Sequence, residues 1–286
     1  METRKPITTS KLKKMKQDGQ PISVITAYDY PSAQLAEQAG VDVILVGDSL
    51  GNVVLGYDST IPVTVEDMIY HSRAVTRAVK STFVVTDMPF MTYHGSIDRT
   101  LQHAGRIMQE GLAKAVKLEG GREIVPAVRA LVQAGIPVMG HIGLTPQSIH
   151  QIGGYKVQGK NSAQAKQLLE DALAIEEAGA FSIVLELVTD EIAELVTKRL
   201  TIPTIGIGAG AGCDGQVLVF HDVLGYAAEI HPKRFVKTYA NVGEIVRSGI
   251  SQYVQDVKQR KFPAPEHSFH ADAELAGALY GNERKE

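Results

Sequence analysis

Residues 83–119 read FVVTDMPFMTYHGSIDRTLQHAGRIMQEGLAKAVKLE, and this stretch decides the fold. A β-branched apolar run at 83–87 gives way to a turn. Helical periodicity follows over 97–110, and a second apolar run closes the unit at 115–119. Strand, helix, strand in that order predicts parallel pairing, because a parallel partner is reached only through a crossover. Working outward, the same alternation places strands at 22–27, 42–47, 137–142, 182–186, 204–208 and 216–220. Helical segments lie between them at 65–80, 123–134, 162–178 and 190–199. Several helices end at glycine before the next strand, at Ala39-Gly40, Glu110-Gly111, Ala134-Gly135 and Ala178-Gly179, as helix carboxyl termini commonly do. About eight parallel strands alternating with helices specify an α/β chain, a single (β/α)8 barrel of the TIM type. Residues 1–286 are read as one barrel domain, with an N-terminal extension over about 1–21 and a tail over about 262–286 that wraps a neighbour or covers the barrel.

Composition agrees with a barrel and narrows the partners. At 286 residues, 44% hydrophobic and 21% charged, the chain can bury a large core without disulfides. Lys and Arg total 29 against 32 Asp and Glu, a net charge of −3, which gives no reason to expect nucleic acid or an anionic membrane as partner. The single cysteine, Cys213, forms no intrachain disulfide, and no apolar run approaches the roughly 20 residues of a membrane span. A cytoplasmic protein acting on small molecules is expected.

Parallel strands buried on both faces should be almost wholly apolar, so ionisable residues at their carboxyl ends need explaining. Asp48 and Ser49 follow the second strand, Asp87 ends the third, and Lys117 and Glu119 end the fourth; His141 and Glu186 stand at the fifth and sixth. In a barrel those ends converge on the face that carries active sites. One carboxylate in such a place serves equally well as a helix cap, but Asp48, Asp87 and Glu119 together would repel one another without a cation. With only hard oxygen donors and no zinc-type His/Cys spacing, that cation reads as Mg2+. An α-keto acid would fill its open positions, and the ion would stabilise enolate charge as a Lewis acid. Lys117 shares a strand face with Glu119 and adds positive charge, a solvated or structural lysine being the alternative. Glu186, closing the apolar run SIVLE, is the candidate base, with a supporting or capping role as the alternative. His141 reads either as a hydrogen-bond donor to substrate or as a core histidine.

Two further features carry less. The loop over 143–161, GLTPQSIHQIGGYKVQGKN, is long and glycine-rich and reads as a mobile active-site lid, the alternative being an exposed insertion. The run IGIGAGAG at 205–212 is no dinucleotide fingerprint, because it follows the seventh strand rather than the first. It suits a close-packed turn or a backbone surface approached by a ligand.

Motifs in fixed order extend this reading. They are TAYDY (26–30), VGDSLG (46–51), GYDSTIPVT (56–64), DMPFMTY (87–93), VKLEGG (116–121), GHIGLTPQS (140–148), GGYKVQG (153–159), IGIGAG (205–210) and EHSFH (266–270). Over nearly its whole length the chain resembles the ketopantoate hydroxymethyltransferase family. The resemblance implies Mg2+ at Asp48, Asp87 and Glu119, and contacts to the 2-oxo acid 3-methyl-2-oxobutanoate from Asp48, Ser49, Asp87 and Lys117. It further implies Glu186 as proton acceptor, 5,10-methylenetetrahydrofolate as one-carbon donor, and a homo-oligomer, commonly a decamer. A pyruvate-enolate lyase would use the same residues without folate, and a silent metabolite-binding barrel would require the set to be broken.

Overall fold

The computed structural model describes residues 4–226 and 233–271, together with Ala278. Two compact units divide the chain, Met1–Tyr239 and Ala240–Glu286. The first is a closed barrel in which β1 (Ile22–Thr26), β2 (Val43–Val46), β3 (Phe83–Asp87), β4 (Ala115–Glu119), β5 (Val138–Gly143), β6 (Ser182–Glu186), β7 (Thr204–Ile207) and β8 (Gly215–Leu218) pair in chain order. All pairings are parallel, and β8 returns to β1 with Ile22 beside Gly215.

The helices of this unit are α1 (Thr9–Gln17), α2 (Tyr30–Gln38), α3 (Leu50–Val53), α4 (Val65–Ala78), α5 (Ile97–Gly111), α6 (Val125–Gln133), α7 (Ile149–Ile152), α8 (Ser162–Glu177), α9 (Asp190–Arg199) and α10 (Phe220–Leu224). Capping fixes where several begin. Thr64 and Asp67 form a reciprocal capping box on α4, while Asp29, Ser96 and Asn161 each accept a backbone N–H at the start of α2, α5 and α8. In the second unit α11 (Val242–Lys258), absent from the sequence expectations, is a helix with no buried residue.

Inward-facing Ile22, Val24, Val43, Leu45, Phe83, Val85, Ala115, Met139, Val184, Ile205 and Val217 fill the barrel, and Ile7, Leu12 and Met15 join the same cluster. Residues 7–15 therefore plug the barrel. Their hydrophobic side chains meet the amino ends of the strands and close the floor opposite the ionisable residues.

Glycine terminates the helices as expected at Gly40, Gly135 and Gly179, all with positive φ. At α5 the structure differs. Gly111 is the last helical residue and Leu112 takes the left-handed conformation, φ 61°. A Cβ at Gly111 would come within 3.1 Å of the side chain of Ser72 on α4, a tight approach.

Glu37, near the end of α2, accepts backbone N–H groups from Lys80, Ser81 and Thr82 and so pins the segment leading into β3. Burial works against its charge, but these hydrogen bonds prevail and hold the carboxyl below its ordinary pKa. A depressed carboxylate stabilises the fold above its unfolded pKa, near 4.3, and loses that contribution as pH falls through the lower folded value. Glu37→Gln is expected to lower stability by about 1–2 kcal/mol at pH 7, with the difference shrinking in denaturant melts at acid pH. A difference independent of pH would show that the charge is not responsible.

Candidate active site

The strand register assembles the site. Asp87 lies beside Lys117, Glu119 beside His141, and Gly143 beside Glu186. Asp48, Asp87, Lys117, Glu119 and His141 are buried, Glu186 is partly buried, and all six line one cavity of about 500 Å3 with Ser49. The residues singled out from the sequence thus converge on one space, within the size range of small-molecule pockets.

Their contacts differ in kind. Lys117 Nζ stands 3.1 Å from Asp87 Oδ1 and 3.8 Å from Glu119 Oε1. His141 lies between two carboxylates, Nδ1 3.4 Å from Glu119 and Nε2 3.2 Å from Glu186. Lys117 Nζ is also 3.2 Å from His141 Nδ1, a hydrogen bond only if that nitrogen carries no proton. A neutral ring accepting there must hold its proton on Nε2, and a charged ring holds one on both nitrogens. Nε2, although 3.2 Å from Glu186 Oε2, makes no well-directed hydrogen bond.

Electrostatics follow from burial and crowding. Burial, with the charges of Glu119 and Asp87, pushes Asp48 well above the ordinary carboxylate range. Burial also raises Asp87, against the opposing pull of Lys117. Glu119 goes the other way, because His141 and Lys117 outweigh its burial. Burial and Lys117 oppose the charging of His141, yet Glu119 and Glu186 bring it up to about 9. Four carboxylates therefore face two cationic side chains, and Asp87 Oδ1, although near Lys117, takes no well-directed hydrogen bond. Negative charge in excess, carried on hard oxygens, fits a divalent cation such as Mg2+ at Asp48 and Asp87. Among the described residues no three His, Cys, Asp or Glu side chains close around a common point.

Sequence reasoning missed Gln147 and Tyr93, both buried beneath the site. Gln147 Nε2 donates to Asp48 Oδ2 (2.8 Å) and to the Met88 carbonyl (3.0 Å), and Gln147 N donates to Glu119 Oε2 (3.0 Å). Tyr93 Oη donates to Gln147 Oε1 (2.6 Å) and accepts from Glu119 N (3.1 Å). Only their place in the motifs DMPFMTY and GLTPQS hinted at them. The first turn of the 143–161 loop is consequently tied into the site, whereas Tyr155 further along is 65% exposed and still borders the cavity. The far end of the loop is held too, by Gln158 N donating to the Leu187 carbonyl. Glycine is required at 143, where φ is +93° and a Cβ would run into the Glu186 carbonyl oxygen. Leu187 itself is left-handed, φ 46°, the kind of local strain found next to reacting groups.

A barrel whose C-terminal face buries carboxylates, a lysine and a histidine around a small cavity defines an enzyme of the α/β-barrel class, working on a small molecule. Residues 6–265 match the family described as ketopantoate hydroxymethyltransferase, and the chain belongs to that family. It is 59% identical over 271 residues to the 3-methyl-2-oxobutanoate hydroxymethyltransferase of Geobacillus sp. (strain WCH70), spanning 95% of this chain and 97% of that protein. The Bacillus cereus (strain G9842) protein of the same description shows the same identity and coverage. Among solved structures, phosphonopyruvate hydrolase in complex with oxalate and Mg++ superposes with TM-score 0.57 at 15% identity, covering 97% of this chain and 96% of that one. The 2,3-dimethylmalate lyase, a PEP mutase/isocitrate lyase superfamily member, gives 0.57 at 18% identity, covering 96% of both chains. These two likenesses concern the fold alone.

Proposed function

We propose that this cavity removes the C3 proton of 3-methyl-2-oxobutanoate and joins that carbon to the one-carbon unit of 5,10-methylenetetrahydrofolate. The overall activity, hydroxymethyl transfer to the 2-oxo acid in pantothenate biosynthesis, follows from family membership. The observation that carries the mechanism is the placement of Glu186, a partly buried carboxylate at the cavity wall with Oε2 3.2 Å from His141 Nε2.

Asp48 and Asp87 would hold Mg2+, and Glu119, already engaged by His141 and the Gln147 amide, completes the acidic set behind them. When bound, the ion supplies Lewis-acid stabilisation of charge developing on the keto oxygen. Lys117 adds a fixed positive charge beside the same carboxylates, and Ser49, held by the Tyr28 hydroxyl at 2.9 Å, offers a hydroxyl to the substrate carboxylate. Glu186 accepts the C3 proton, with the imidazole of His141 close beside it. The C3 carbon bonds to the folate methylene carbon as one of its two bonds to folate nitrogen breaks, and the second breaks as water attacks the same carbon, the two nitrogens taking up the proton held by Glu186 and one from that water. Water supplies the hydroxyl, giving 2-dehydropantoate and tetrahydrofolate. The apolar wall of Leu187, Ile207, Val219 and Phe235 leaves room beside the acidic cluster for the folate.

Family resemblance also supports a homo-oligomer, a decamer, and a cytoplasmic location. No helix among the described residues is long and apolar enough to cross a membrane.

The test is turnover. Product is expected only when Mg2+, the 2-oxo acid and the reduced folate are all present; a C–C bond made or cleaved without folate would favour a lyase instead.

A further inference from the structure

The cavity residues do not set their own orientation. Asp48 is the most crowded acid of the site, and its Oδ2 is held by a side chain that does not line the cavity, Gln147. Proton bookkeeping fixes how that side chain must sit. The Tyr93 hydroxyl accepts the Glu119 backbone N–H, so its single hydrogen points to the nearer partner, Gln147 Oε1. That orientation is also the one the Met88 carbonyl requires, since it can only accept and so must face the amide nitrogen. Both Nε2 hydrogens are then spoken for, one by Asp48 Oδ2 and one by the Met88 carbonyl. The backbone N–H of the same residue holds Glu119 Oε2. One residue after β5 thus links the carboxyl ends of β2, β3 and β4.

We propose that Gln147, keyed by Tyr93, is a positioning residue: it locks Asp48 Oδ2 as an acceptor and turns Asp48 Oδ1 alone toward the 2-oxo acid subsite. This rests on the reading of the cavity as the 2-oxo acid site. An amide is suited to the task because its two ends are chemically different. It accepts from a phenol on one side and donates to a carboxylate on the other, so the carboxylate is held in one rotamer without adding charge to a site already rich in it. Groups that orient the residues of a charged site in this way typically change affinity by about 10-fold to 100-fold when lost.

The experiment compares wild type with Gln147→Met, which keeps length and bulk but neither donates nor accepts as an amide does, and with Tyr93→Phe, which removes one oxygen. Binding of 3-methyl-2-oxobutanoate in the presence of Mg2+ is measured by calorimetry, and KM is measured separately for the 2-oxo acid and for methylenetetrahydrofolate. Gln147→Met is expected to weaken 2-oxo acid binding by about 10-fold to 100-fold, and Tyr93→Phe to weaken it less. The KM for folate should stay at its wild-type value in both. Unchanged 2-oxo acid affinity in folded variants, or an equal rise in both KM values, overturns the proposal. Should Gln147→Met not fold, Tyr93→Phe decides by the same criterion. If the wild-type protein itself does not bind the 2-oxo acid, the reading of the cavity falls, and this proposal with it.

Discussion

Glu186→Gln is expected to slow exchange of the C3 hydrogen of 3-methyl-2-oxobutanoate with solvent deuterium by about 10²-fold to 10⁴-fold, the usual contribution of a positioned base. Exchange is followed with Mg2+ but without folate, which separates proton removal from carbon transfer. Glutamine keeps the shape of the side chain and can still stand beside His141 Nε2, which lies 3.2 Å from the glutamate. It cannot accept a proton from carbon. Affinity for the 2-oxo acid should therefore change little, and a drop in affinity matching the drop in exchange would assign Glu186 to binding. Exchange at the wild-type rate in a variant that binds normally would move the role of base to His141.

Asp87→Asn is expected to separate function from stability. Asp87 Oδ1 lies near Lys117 without a directed hydrogen bond, and Asp87 Oδ2 accepts the Asp48 backbone N–H at 3.1 Å. The amide variant removes charge from the acidic cluster, so Mg2+-dependent binding of the 2-oxo acid should fall by about 100-fold or more, the ~3 kcal/mol expected of a lost buried charged contact. The ligand-free protein should melt no lower than wild type. Three carboxylates around Lys117 and His141 repel less than four, and Lys117 still has Glu119 within 3.8 Å. A melting temperature that falls while binding survives would mark Asp87 as a structural partner of Lys117 instead.

Most of the barrel was legible in the chain. The runs at 83–87, 115–119 and 182–186 coincide with β3, β4 and β6, and the segment 190–199 coincides with α9. Burial on both sides makes such strands continuous apolar runs, which is why an acid at the end of one stands out. Where expectation and structure part, non-local contacts decide. Segment 123–134 begins as a 3-10 turn over Arg122–Ile124, while α11 is marked in the sequence by Ile245, Val246, Ile250, Tyr253, Val254 and Val257 at helical spacing, all of them exposed. Leu112 rather than Gly111 takes the left-handed turn, with Gly111 packed close to Ser72.

For the site, the sequence by itself determined which side chains stand at the strand ends, and with them Asp48, Asp87, Lys117, Glu119, His141 and Glu186 as a group. Each stands at the carboxyl end of an apolar run, a local property, and parallel strands bring all their carboxyl ends to one rim of the barrel. Tertiary structure alone decided who holds whom. The placing of His141 between Glu119 and Glu186, and the chain from Tyr93 through Gln147 to Asp48, join residues 22 to 99 positions apart. A buried glutamine or tyrosine has no periodic signature of its own. Its role arises from which polar groups the closed barrel leaves within about 3 Å of it, the distance at which a hydrogen bond fixes a proton.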